Sequence, residues 1–143
     1  MLYSTVAQIG FVVLVAVTGF VLWTGGGWAR LSAGLHAVNW MLVAALQRRH
    51  EHHIFQTGDF IADLLGAGAA CAIAVASRRL WAACLAAFQV LGVINYLVQV
   101  FDPRVLHRAF WTAAYIWEAG ALACLLVAGA EALRARKRAG GGA

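Results

Sequence analysis

The chain has 143 residues, 63% of them hydrophobic and 12% charged, with a mean hydropathy of +0.77, whereas a soluble domain carries roughly 25% charged residues. A soluble core of this size cannot hide so much apolar surface, and the length leaves room for one domain of four or five membrane spans of about 20 residues each. The formal charge of +5 and pI near 9.7 do not point to nucleic acid, because the basic residues sit in short clusters between apolar runs, the pattern of positive-inside anchoring.

In chain order, a first span covers residues 3–23, from Tyr3 to Trp23. It lacks the basic n-region of a signal peptide and is followed by GGGWA, a poor cleavage site, so it reads as a retained helix. Gly25, Gly26 and Gly27 end it with a turn that has no side chain to place, and Arg30 follows. The second span, 31–47, carries Ser32, His36 and Asn39 and only just reaches across a hydrocarbon core of about 30 Å. The bundle has five spans if this segment crosses and four if it does not.

Arg48 to Asp63 is the widest polar interruption in the sequence. Asp59 is placed to cap the third span, 60–77, by accepting backbone N–H bonds. It shares a face with Asp63 if the helix begins early enough. Within that span Gly66, Ala70 and Ala74 form one row of small residues and Gly68, Ala72 and Ala76 a second, which predicts a helix in the middle of the bundle. Arg78 and Arg79 mark a tight turn into the fourth span, 80–101, so the pair forms an antiparallel hairpin. Trp81 at one end of that span, with Tyr96 and Phe101 towards the other, matches an aromatic belt. The Asp102-Pro103-Arg104 turn and His107 precede the fifth span, 109–133. Residues 134–143 are expected to form a basic, Gly-rich, mobile cytoplasmic tail. Cys71, Cys84 and Cys124 lie in apolar runs without a CxxC neighbour and read as small buried packing residues.

The fold class is therefore an all-α, polytopic transmembrane helical bundle. With five spans, Arg30, Arg78, Arg79, Arg134, Arg136, Lys137 and Arg138 share one side, and Arg48, Arg49, Arg104 and Arg108 the other. The majority side is assigned to the cytoplasm of a bacterial inner membrane, with the N-terminus out and the C-terminus in. Asp63, Asn95 and Gln99 then lie in the outer half, with Asn39 and Glu118 near the middle. An outward-facing polar pocket beneath the histidine-rich loop is predicted.

An ionised carboxylate at mid-membrane costs at least about 2.5 kcal/mol, so Glu118 and Asp63 are candidates for an ion or proton pathway, with Asn95 and Asn39 beside them. The bland alternative is that they fix helix register through hydrogen bonds. His50, Glu51, His52 and His53, with His107 in the neighbouring loop, offer ligands for a divalent metal, but the spacing matches no closed metal motif. A solvated, pH-sensing loop at the headgroup level is the preferred reading. His36, between Ala33 and Ala37, has room to ligate a tetrapyrrole metal, although a second membrane-embedded histidine is missing. A hydrogen bond across helices is preferred. No nucleophile elbow, phosphate loop or HExxH occurs, so enzymatic activity is not expected.

Trp81, Phe88-Gln89, Asp102-Pro103 and the aromatic run Phe110 to Trp117 resemble a group of small membrane proteins from alphaproteobacteria. The resemblance covers roughly residues 78 to 118. It implies an integral inner-membrane placement and no particular activity.

Helices rich in Ala and Gly, six Trp and almost no loop mass favour a non-catalytic accessory subunit of a larger respiratory or photosynthetic membrane complex. The expected partners are the lipid bilayer and other membrane subunits or a homo-oligomer, without nucleic acid. A small proton or metal-cation transporter is the alternative, and a tetrapyrrole protein using His36 a third.

Overall fold

The computed structural model describes residues 5–46, 57–101 and 107–140. These form α1 (Thr5–Thr24), α2 (Gly27–Leu46), α3 (Thr57–Ser77), α4 (Leu80–Phe101) and α5 (His107–Gly140). There are no strands among the described residues. Three helical stretches, Thr57–Ser77, Leu80–Val98 and Ala109–Ala139, are long and apolar enough to cross a membrane, and Gln8–Thr24 is a shorter apolar helix.

The breaks between helices have local causes. At the end of α1 the Thr24 hydroxyl donates back to the Phe20 carbonyl at 2.8 Å, and Gly25 N–H donates to the Val21 carbonyl at 2.7 Å. A Cβ on Gly25 would lie 2.5 Å from that carbonyl oxygen, so glycine alone fits there. Gly26 already accepts the first α2 bond, from Arg30 N–H at 3.0 Å. The three glycines are therefore not a linker: Gly27 belongs to α2, which reaches 20 residues where the sequence suggested a shorter helix. Arg78 ends α3 in the left-handed region, φ 52°, while its N–H still bonds to the Ala74 carbonyl. Arg79 accepts from Ala82 and Ala83 and so caps α4. Two residues thus suffice for the hairpin.

The helices close into a ring in chain order, α1 to α5 and back to α1, and α2 also touches α5 across it. Asn39 meets Asp63 and Phe88 meets Gly120, as successive antiparallel helices require, while α1 and α5 run parallel, Phe20 meeting Gly129 and Trp23 meeting Arg136. Arg30, Arg78, Arg79 and the α5 C-terminal cluster accordingly gather at one end. That end holds the apolar core, in which Val21, Ala33 and Leu125 are fully buried. Small residues make the approach possible: a Cβ at Gly129 would sit 2.6 Å from the Phe20 ring. The outward faces are apolar as well, Val75, Leu80 and Phe101 being largely exposed, as suits lipid contact rather than water.

Several sequence expectations change. Asp59 is not a cap but sits inside the first turn of α3, buried, because the helix starts three residues before Phe60. The central positions belong to α2, against α1, α3 and α5, and to α5, against α1, α2 and α4, while α3 contacts only α2 and α4. Of the two small-residue rows on α3, the one with Gly66 and Ala70 faces inward, whereas Gly68, Ala72 and Ala76 face out. Trp81 is 7% exposed and belongs to the core, not to an interfacial belt, since the Ala-rich faces around it leave a space its indole fills. Cys71 and Cys84 are exposed and only Cys124 is buried. The basic segment after Leu133 is not a separate tail within the described residues, because α5 stays helical to Gly140. At 34 residues it is about 51 Å long, roughly 20 Å more than a hydrocarbon core.

Candidate functional site

The polar side chains that face inward follow helical periodicity. On α2, Ser32, His36 and Asn39 are spaced four and three apart and share one face. On α3, Asp59 and Asp63 do the same one turn apart. On α4, Gln89 and Tyr96 are two turns apart. Glu118 enters from α5.

Two clusters result. In the first, His36 Nε2 lies 2.9 Å from Glu118 Oε1, and Gln89 Nε2 lies 3.0 Å from His36 Nδ1. The His36 side chain is 6% exposed and that of Glu118 29%. With the Gln89 amide nitrogen donating to Nδ1, the proton of a neutral imidazole sits on Nε2 and is donated to the Glu118 carboxylate. If the Gln89 amide turns over, its oxygen accepts a proton on Nδ1 instead, and the same three groups hold an imidazolium. The cluster thus accommodates two proton counts through one amide rotation.

In the second cluster, Asn39 Nδ2 donates to Asp63 Oδ1 at 3.0 Å, and the Tyr96 hydroxyl also bonds to Asp63. Asp63 is close enough to Glu118 and His36 to couple to both electrostatically. Asp59 couples to Asp63, and its buried Oδ1 has no hydrogen-bond partner among the described residues. The three carboxyl groups thus form a row in which Glu118 and Asp63 lie near the His36 imidazole and Asp59 lies near Asp63, and no Lys or Arg among the described residues pairs with any of them.

A cleft of about 330 Å³, mouth included, runs alongside, lined by Ser32, His36, Asn39, Gly66, Ile73 and Gln89 among others. Ser32 is 3% exposed and its hydroxyl has no partner among the described residues. The site has room and a free polar group for water. Towards the basic end the lining turns apolar at Ile73 and Leu85, and the apolar core follows. Towards the other end stands an aromatic collar: Phe60 against Tyr96 at 6.2 Å, Tyr96 against Phe110 at 5.3 Å and Phe110 against Trp111 at 5.5 Å.

Of the sequence-predicted residues, His36, Asn39, Asp63 and Glu118 come together. Asn95 does not join them, since its amide donates to the Phe110 carbonyl at 3.1 Å and ties α4 to α5. His50, Glu51, His52 and His53 lie outside the described residues, as does the side chain of His107. Among the described residues no group of three His, Cys, Asp or Glu could hold a metal ion. Both ring nitrogens of His36 are hydrogen-bonded, so a tetrapyrrole metal would have to displace Glu118 or Gln89. Sequence reasoning missed Gln89, Tyr96 and Ser32 as site members. The signal available was a polar stripe at helical spacing on otherwise apolar helices, the inverse of an amphipathic core face.

The chain matches no known family model, no curated protein and no solved structure.

Proposed function

We propose that this chain is a five-span integral membrane protein that takes up protons at a buried His36–Glu118 pair, reached from the end opposite Arg30, Arg78 and Arg79. The observation that carries this reading is the 2.9 Å contact between His36 and Glu118, held by an amide that can donate or accept. Carboxylates at this depth are expensive unless paired or protonated, and here they outnumber the cations available to them. Asp59 and Asp63 extend the polar row away from the basic end. Protons are favoured over metal ions because the described carboxyl and imidazole groups do not converge on a common point.

Five spans are supported by α2, whose polar face turns inward while Leu31, Leu35, Val38 and Met41 face out. Its 20 residues give a length of about 30 Å, enough to cross. Grouping Arg30, Arg78, Arg79 and the α5 cluster at one end supports an inner-membrane orientation with the C-terminus in. Reporter fusions at each terminus test that orientation, and opposite sides are expected.

Proteoliposomes loaded with a pH-sensitive dye provide the functional test. Wild-type protein should release or take up protons on a pH jump, and Glu118→Gln should abolish the response. A response that survives Glu118→Gln, with the variant folded, overturns the proposal.

A second reading, an accessory subunit of a larger membrane complex, is favoured by the apolar packing at the basic end, where Val21, Leu85 and Leu125 are buried. A partner packed against that end would receive the protons that the site takes up. Gentle extraction followed by native mass determination should then reveal stoichiometric partners. A lone monomer under conditions that preserve known complexes removes this reading.

A further inference from the structure

The basic end contains a second arrangement that the proton site does not use. The Trp23 carbonyl is one of the last four of α1 and has no partner within its own helix. Two guanidinium groups from different helices reach it: Arg30 Nη2 from α2 at 3.4 Å and Arg136 Nη1 from α5 at 3.4 Å. Their nitrogens can be no further apart than twice that distance. Both contacts are long for a hydrogen bond, and most of the ten N–H donors of the two groups stay unused.

Bringing two like charges onto one neutral oxygen is unfavourable unless an anion joins them. No carboxylate among the described residues pairs with either. Glu131 is the one acidic residue at this end of the described bundle, against Arg30, Arg78, Arg79, Arg134, Arg136, Lys137 and Arg138. Trp23 is 75% exposed and Trp28 46%, flanking the pair as headgroup-level indoles do. Below them Leu22 and Leu31 turn apolar surface outward, along which an acyl chain can lie.

We propose that Arg30 and Arg136 form a binding site for the phosphate of one anionic phospholipid at the junction of α1, α2 and α5. Paired guanidinium groups match phosphate oxygens bidentately, which lysines would not. The two indoles hold the glycerol level, and the lipid pins the C-terminal half of α5 to the end of α1. This site depends on the chain residing in a bilayer but not on proton uptake at His36 and Glu118.

The test uses the full-length protein in detergent, with native mass spectrometry after adding phosphatidylglycerol, phosphatidylcholine or inorganic phosphate. Wild-type protein should retain one phosphatidylglycerol where phosphatidylcholine is lost, and inorganic phosphate should not compete. Arg30→Gln and Arg136→Gln should each weaken retention roughly tenfold, while Arg134→Gln/Arg138→Gln on the same helix should leave it within about twofold. Equal loss in that control means diffuse charge and overturns the site. Equal retention of phosphatidylcholine, or displacement by inorganic phosphate, overturns the lipid assignment. Should the Gln variants lose helicity, the three wild-type arms still decide the matter.

Discussion

Gly66→Ala probes the join between α2 and α3 at the candidate site. A Cβ there would lie 2.9 Å from Asn39 Cγ, 3.0 Å from Nδ2 and 3.1 Å from Oδ1. Carbon contacts settle at about 3.5–4.0 Å, so the Asn39 amide must retreat by roughly 0.6 Å or more. Its bond to Asp63 is 3.0 Å long and breaks if the retreat is along the bond. Interhelical hydrogen bonds in membranes average only about 0.6 kcal/mol, whereas overpacking costs about 1–3 kcal/mol. The steric part therefore dominates, and the expected loss is about 1–3 kcal/mol, measured by unfolding in mixed micelles with increasing dodecyl sulfate. The decisive comparison is the same substitution in an Asn39→Ala background. With the amide gone the clash is gone, and Ala replaces Gly in a helix interior, a gain of roughly 0.5–1 kcal/mol. The sign should reverse. An equal loss in both backgrounds would refute the assigned contact.

Three further outcomes are expected. Glu118→Ala leaves the buried His36 Nε2 without its partner and should destabilise the bundle by about 1–3 kcal/mol, while Glu118→Gln keeps an acceptor and should cost less than half as much in the same titration. Arg78→Gly relieves a left-handed conformation at φ 52° and should stabilise the hairpin by about 1 kcal/mol, visible as a higher unfolding midpoint; no gain would mean that the Arg78 side chain contributes what its backbone costs. A lipid-soluble thiol reagent should label Cys71 and Cys84 in membranes and spare Cys124, in keeping with their exposure; labelling of Cys124 would contradict the packing of α5.

The positions of the helices were legible because apolar runs and their interruptions are local properties. The range 80–101 for α4 follows directly from Arg79 and the Asp102-Pro103 pair, and the α3 to α4 hairpin from Arg78 and Arg79. Helix ends were less legible. Gly27 can equally end one helix or open the next, and backbone hydrogen bonding decides which. Asp59 likewise suits a cap or a first turn, and only the helix start at Thr57 shows that α3 has already begun.

Sequence alone determined that this is an all-α chain with helices of membrane-spanning length, because composition and hydropathy are sums over residues. It also marked His36, Asn39, Asp63 and Glu118 as costly in an apolar setting. Which of them meet was decided by the tertiary structure. Glu118 and His36 lie 82 positions apart, and their contact depends on the ring closure that brings α5 against α2. The rotation of each helix then selected Gln89, Tyr96 and Ser32 for the interior and turned Asn95 to the Phe110 carbonyl. A rotation of one residue, about 100° in a helix of 3.6 residues per turn, would have exchanged those roles, and nothing in the local sequence fixes it.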